Sequence, residues 1–223
     1  MQRRAFVANT GALAGTLVVS ATLLSPGLAL AQAGVPRAGE DFLVLNRPVP
    51  VDAATGKIEV IEFFGYFCPH CNAFEPVLNA WVKKVPKDVV FKRVPVAFSG
   101  GAVPQQRLYY ALENMGLVEQ LHARVFAAIH GERQDLSQAA AIADWVARQG
   151  VDRASFAEQY DSFSVSTQVA RASQLLTAYR VEGVPALGVA GRYYTDGALT
   201  RSMDRMLQVA DYLTEQVRRS RSS

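Results

Sequence analysis

The chain reads as an α/β domain interrupted by an all-helical insertion, and three observations predict it. Residues 42–98 alternate strand, helix and strand. From 100 to about 179, five helical segments follow one another with no strand signal. From Gly183 onward, two short strands and a closing amphipathic helix restore the α/β pattern. With a leader at 1–33, the chain divides into a first α/β part at 34–99, the insertion at 100–170 and a second α/β part at 171–223.

Ile58-Glu59-Val60-Ile61-Glu62-Phe63-Phe64 is a buried strand carrying two acids. A helix starts at Cys68 and carries Phe74, Val77, Leu78, Trp81 and Val82 as a roughly helical apolar stripe. Pro76 inside it is expected to kink it near Asn72, whose carbonyl the ring would strike. Residues 89–98 form the next strand. In the insertion, 104–115 is closed by Gly116 and 118–129 by Gly131. Ser137 is the expected N-cap of 138–149, which Gly150 closes, and Asp152 caps a further short helix. A longer helix then sets Val165, Val169, Ala172, Leu175, Leu176 and Tyr179 on one face. Strands at 186–189 and 192–195 turn at Ala190-Gly191, and Met203, Met206, Leu207, Ala210, Leu213 and Val217 line the final helix.

Residues 1–33 have the layout of a secretory signal peptide. Arg3 and Arg4 open the chain, no charged residue follows until Arg37, and 11–24 is apolar or small. Such an uncharged run is also long enough for an uncleaved membrane anchor. The Pro26-Gly27 break and the alanine-rich exit favour cleavage, after Ala31 or Ala33. Arg3-Arg4-Ala5-Phe6-Val7 is a weaker match to a twin-arginine signal, with Gln2 where Ser or Thr is usual. Beyond the leader, 21 Lys+Arg stand against 20 Asp+Glu, so the net charge falls from +3 to +1. No basic stripe suggests nucleic acid. The remaining chain of about 190 residues can bury a core without staples, so its two cysteines are not a disulfide scaffold.

Those cysteines, the only two, stand three positions apart in Phe64-Gly65-Tyr66-Phe67-Cys68-Pro69-His70-Cys71. Chance would give that spacing only about once in a hundred, and a C-x-x-C pair can close and reopen a tight disulfide. Cys68 at a helix N-terminus meets unpaired backbone N–H groups and the positive end of the dipole. Pro69 fits the first turn, and His70 can bring a hydrogen bond or a positive charge to the sulfur. Each influence lowers the Cys68 pKa. Cys71, one turn inside, is expected to be buried with a higher pKa. Cys68 is thus the solvent-facing, attacking sulfur and Cys71 the resolving one. Each unit by which the Cys68 pKa lies below ambient pH stabilises the reduced form by about 1.4 kcal/mol, or roughly 30 mV. The disulfide is therefore expected to pass itself to substrates. A zinc half-site is the alternative, but no second cysteine pair exists, and His122 and His130 lie in the insertion without a ligand partner. No metal and no cofactor beyond the Cys68–Cys71 disulfide is expected. A purely structural bridge closing so small a loop would remove little chain entropy.

Three further features bear on the chemistry. Val184-Pro185 precedes a strand, where a trans proline is ordinary. A cis-Pro185 there would hold the Val184 backbone ready to pair with an extended substrate. Glu62, at the end of an apolar strand, is costly to bury unless paired or protonated. It reads either as a proton carrier for Cys71 or as a strand-edge acid or ion pair, with Arg93 or Lys92 as counter-charge. Glu75, one turn below Cys71, is a weaker candidate for that role and more often a surface acid on a helix. Tyr66, Phe67 and Phe98 could fill the core or form the lip of a peptide groove, and at least one of Tyr66 and Phe67 is expected in the groove.

On Glu62-Phe63-Phe64-Gly65-Tyr66-Phe67-Cys68-Pro69-His70-Cys71, Phe74-Glu75, Phe98-Ser99-Gly100-Gly101 and Gly183-Val184-Pro185-Ala186, the chain resembles the DsbA family of periplasmic thiol:disulfide oxidoreductases in the thioredoxin superfamily. The resemblance spans 42–213. It implies a thioredoxin fold with an inserted helical domain, and a Cys68–Cys71 disulfide donated to newly exported proteins with free thiols in a Gram-negative periplasm. It also implies reoxidation by a quinone-linked inner-membrane partner of the DsbB type. Pro185 maps onto the family's cis-proline, Glu62 onto its buried acid and Arg93 onto that acid's partner. Gly65 stands where Ser or Ala is frequent, Pro95 lies in a strand where more polar residues are common, and Ala190-Gly191 replaces a usual Asn-Gly. These departures touch groove shape more than chemistry. A monomeric dithiol oxidase is the expected activity. The alternatives are a periplasmic reductase or isomerase, although too little chain precedes Phe42 for an isomerase's dimerisation domain, and a non-redox peptide-binding chaperone module.

Overall fold

The computed structural model describes residues 34–222, so the signal-peptide reading of 1–33 lies outside the described residues. Five strands form one mixed sheet: β1 (Leu43–Val44), β2 (Ile58–Phe64), β3 (Val89–Pro95), β4 (Ala186–Val189) and β5 (Tyr193–Asp196), in the order β1-β5-β4-β2-β3. β2 and β3 run parallel, joined through helix α1 (Pro69–Val82), and the remaining pairs are antiparallel. The central β2 is buried at every position because both faces are covered.

The period of two along β2 decides what each face meets. Ile58 and Val60 join Phe74 and Leu78 of α1 and Met206, Ala210 and Leu213 of the closing helix α8 (Met203–Ser222). Ile61 and Phe63 turn to the other core, which holds Leu108, Leu112, Phe126, Trp145 and Tyr179 of the insertion. Glu62 shares the face of Ile58 and Val60 and therefore lies beneath α1. Arg93 is its register partner on β3.

The insertion contains α2 (Val103–Asn114), α3 (Val118–Phe126), α4 (Ala139–Arg148), α5 (Arg153–Asp161) and α6 (Phe163–Tyr179). Asp152 caps α5 by accepting from the Ser155 N–H, as expected, and Ser162 does the same for α6 through Val165. The boundary expected at 170/171 falls inside α6, which runs unbroken through it.

Several expectations shift. Ser137 is not a cap: its N–H bonds the Asp135 carboxylate in a local turn, and α4 begins at Ala139 after Gln138. The segment 118–129 is α-helical only to Phe126, then widens into a π-turn (Ala127–Gly131) closed by Glu132 N–H to Ala127 O at 2.9 Å. The strand expected to reach residue 98 ends at Pro95, after which only Val96 N–H still bonds the sheet, to Phe64 O at 2.7 Å. The last strand starts one residue late because Arg192 N–H closes the turn onto Val189 O at 3.0 Å. That turn holds Ala190 and Gly191 at φ 52° and 67°, the left-handed pair that suits a tight hairpin. α1 continues across Pro76. The edge strand β1 and the one-turn helix α7 (Gly197–Thr200) were not foreseen, since two and four residues are too short to show a period.

Candidate active site

The site forms where β2 ends and α1 begins. Cys68 is the N-cap residue of α1, with extended backbone, and Pro69 occupies the first turn. Both cysteines are free thiols. Cys71 is fully buried and Cys68 is 7 % exposed, so the expected solvent-facing sulfur is the more accessible of the pair yet largely covered. What covers it includes the loop before β4: the Cys68 thiol donates to the Val184 carbonyl at 3.3 Å, and the Val184–Pro185 peptide bond is cis.

The two sulfurs differ sharply in acidity. The Cys68 pKa is lowered from 9.0 to about 6, first by the Cys71 thiol donating to its sulfur. Burial opposes this; the backbone N–H groups of Cys71 and His70 add to it, and the His70 charge contributes least. Helix N-terminus and histidine thus act as expected, but the largest effect comes from the second cysteine. Burial pushes the Cys71 thiol far up, with the Cys68 and Glu62 charges adding to it.

Glu62 is completely buried, which removes the strand-edge reading. Its Oε2 lies 3.1 Å from Arg93 Nε, yet neither carboxyl oxygen has a hydrogen-bond partner among the described residues. Burial, then the charge of Glu75, push its pKa up to about 8 despite Arg93. Lys92, the other expected counter-charge, pairs instead with Glu59 and Asp52, at 2.8 and 3.2 Å.

Glu75 is not a surface acid. It is 6 % exposed and accepts from Arg93 Nη2 at 3.2 Å, Asn79 Nδ2 at 2.9 Å and His122 Nε2 at 3.1 Å. Burial pushes its carboxyl up, but the His122 hydrogen bond, the Arg93 charge and the Asn79 amide outweigh that and hold it below the ordinary range. Burial lowers the His122 pKa from its ordinary value, against the pull of Glu75. Since a carboxylate only accepts, the His122 proton sits on Nε2, and Nδ1 accepts from the Tyr66 hydroxyl at 2.8 Å. His130, carried round by the π-turn, donates from Nε2 to the Tyr66 carbonyl at 2.8 Å. Sequence reasoning ranked Glu75 only as a weaker candidate and missed His122 and His130 as site residues. The spacing of the two histidines, eight apart on one helical run, was the available signal that they share a face.

Tyr66, one of the two groove candidates, is 1 % exposed inside an aromatic box with Phe64, Phe126 and His122, so its side chain lines the core and not the groove. Phe67 is 38 % exposed and meets the 46 % exposed Phe98 edge to face at 6.3 Å. The Phe67 ring lies in the space that a side chain at Gly65 would take, since a Cβ there would come within 2.4 Å of it. A groove of about 440 Å³ runs along His70, Val184, Pro185, Asp196, Arg201 and Met203. A larger cavity of about 630 Å³, between Leu43–Pro50 and the end of α6, is lined by none of these residues.

A family model described as DSBA-like thioredoxin domain matches residues 59–213. A thiol:disulfide interchange protein DsbA from Burkholderia cepacia is 45 % identical over 205 residues, covering 92 % of this chain and 96 % of that protein. One from Pseudomonas syringae pv. tomato is 42 % identical over 205 residues, covering 91 % and 95 %. The crystal structure of Pseudomonas aeruginosa DsbA matches with a TM-score of 0.81 at 40 % identity, covering 84 % of this chain and 97 % of that one. With a Cys-Pro-His-Cys dithiol at the start of α1 and a thioredoxin fold interrupted by helices, the chain belongs to the DSBA-like thioredoxin domain family of thiol:disulfide oxidoreductases.

Proposed function

We propose that this chain is a dithiol oxidase that donates its Cys68–Cys71 disulfide to exported proteins folding in a Gram-negative periplasm. The observation that carries the direction is the asymmetry of the sulfurs. With the Cys68 thiol held at about 6, its thiolate prevails at neutral pH and stabilises the reduced form, by on the order of 1.4 kcal/mol at pH 7. A disulfide whose reduced form is stabilised in this way oxidises its partners.

A substrate thiolate attacks Cys68 Sγ, the Cys68–Cys71 bond breaks, and the Cys71 sulfur leaves and takes a proton. A second substrate thiolate attacks the substrate sulfur of the mixed disulfide; the substrate gains its disulfide and Cys68 departs as a thiolate. Val184 beside Pro185 presents backbone to an extended substrate, and Phe67 with Phe98 forms an apolar lip for its side chains. The family supports reoxidation by a quinone-linked inner-membrane partner of the DsbB type, with the chain acting as a monomer.

The test is equilibration of the purified mature protein with a glutathione redox buffer, together with the rate at which it oxidises a reduced, unfolded substrate. The expected result is a disulfide more oxidising than the buffer, with substrate oxidation abolished in Cys68→Ser. A strongly reducing couple would make the protein a reductase and overturn the reading. Substrate oxidation that survives in Cys68→Ser would place the chemistry elsewhere and overturn it too.

A further inference from the structure

Beneath the redox pair, one guanidinium serves two buried carboxylates. Glu62 on β2 is faced by Arg93 from β3, by Cys71 and Glu75 from α1, by Tyr109 of α2 beyond Arg93, and by His122 of α3 and Tyr66 beyond Glu75. The hydrogen bonds are shared unequally. Glu75 accepts three, from Arg93, Asn79 and His122. Arg93 Nη2 also donates to Asn79 Oδ1 at 2.8 Å, so that nitrogen is committed to the Glu75 side. Glu62 accepts none from the described residues, although Arg93 Nε lies 3.1 Å away. On the far side, the Tyr66 hydroxyl occupies His122 Nδ1 and fixes the ring with its Nε2 proton toward Glu75.

Charge balance in so buried a place follows the hydrogen bonds. An ionised Glu75 and Arg93 cancel, with His122 neutral. A second carboxylate at Glu62 would leave net negative charge, with the Arg93 Nε–H close by but not aligned to bond it. We propose that His122 and Glu75 are positioning residues that engage Arg93 and so leave Glu62 as the carboxyl that carries a proton, loaded for Cys71. This rests on the exchange reaction proposed above. When substrate thiolate bonds to Cys68, the Cys68–Cys71 bond breaks, its electron pair stays on Cys71, and the Glu62 proton moves to that sulfur. The products are the mixed disulfide, a neutral Cys71 thiol and a Glu62 carboxylate. Burial makes Cys71 a poor thiolate, so a proton available from Glu62 favours its departure.

The experiment follows the Glu62 carboxyl by carbon-labelled NMR in the oxidised mature protein. In parallel it measures, per thiolate, the rate at which reduced glutathione opens the Cys68–Cys71 disulfide as a function of pH. In Glu75→Gln, Arg93 is free to serve Glu62. Glu62 is expected to release its proton about tenfold more readily, and the alkaline fall in rate to move down by about one pH unit. His122→Phe is expected to move both in the same direction, and His122→Gln, which keeps an N–H toward Glu75, to restore them; this pair carries the test if Glu75→Gln does not fold. The proposal is overturned if the Glu62 titration and the rate profile stay at their wild-type positions, or if Glu75→Gln moves the profile equally in a Glu62→Gln background. Failure of the oxidase reading would appear instead in the wild-type glutathione equilibrium and would leave the Glu62 titration where it is.

Discussion

The chemistry of Cys68 depends on a single neighbour more than on its position at a helix end. The Cys71 thiol is the first cause of its acidity, ahead of the backbone N–H groups and of His70. Cys71→Ala is therefore expected to raise the Cys68 titration midpoint well above 6, toward that of a free thiol, while Cys71→Ser, which keeps an O–H donor, falls between. Ultraviolet absorbance of the thiolate against pH measures both; equal midpoints in wild type and Cys71→Ala would assign the effect to the helix instead. The cysteines and Glu62 were legible in the sequence because each is unusual where it stands, and Pro185 through the family resemblance, since a proline before a strand is ordinary by itself. His122 and His130 were not legible, and Glu75 was only a weaker candidate, since their roles arise from partners 47, 56 and 64 positions away in the chain. No local pattern records such contacts.

Between elements, the joint that holds the insertion to the sheet is as close as the joint at the site. Tyr179, at the end of α6, lies against β4 at Gly188 and tilts onto Phe63 of β2 at 5.1 Å between centroids. A Cβ at Gly188 would stand 2.4 Å from the ring of Tyr179, a residue 1 % exposed. Gly188→Ala is expected to lower stability by about 1–3 kcal/mol, read as a fall in denaturant midpoint, through overpacking. An unchanged midpoint would mean that α6 shifts freely on the sheet. The short α5 was readable from its Asp152 N-cap and the longer α6 from its apolar periodicity. The π-turn was not, because an α-helix and a π-turn carry the same apolar spacing over five residues.

Over the whole molecule, the buried acid makes folding stability depend on pH. Glu62 titrates at about 8 when folded and at 4.5 as an ordinary carboxyl. Between those values the folded state keeps a proton that the unfolded chain releases, so stability falls as pH rises from about 4.5 to 8. Relative to Glu62→Gln, the wild type is expected to lose on the order of 5 kcal/mol across that window. Chemical denaturation of the oxidised form of both proteins at several pH values measures it, and parallel pH profiles would place the Glu62 proton elsewhere. The order of the sheet was also a whole-molecule property. The two α/β halves were visible in the sequence, and their joining along β2 and β4 follows once two short apolar strands must cover the side of β2 left open by β3.

The contact between Cys68 and Val184 carries one more consequence. Only a protonated sulfur can donate to that carbonyl, and neither a disulfide nor a thiolate has a hydrogen to give. At neutral pH roughly one reduced molecule in ten keeps the proton, with the thiol at about 6. At neutral pH the loop therefore leaves this acceptor unoccupied in most molecules, and acid alone makes Cys68 cover the carbonyl proposed above to meet an extended substrate.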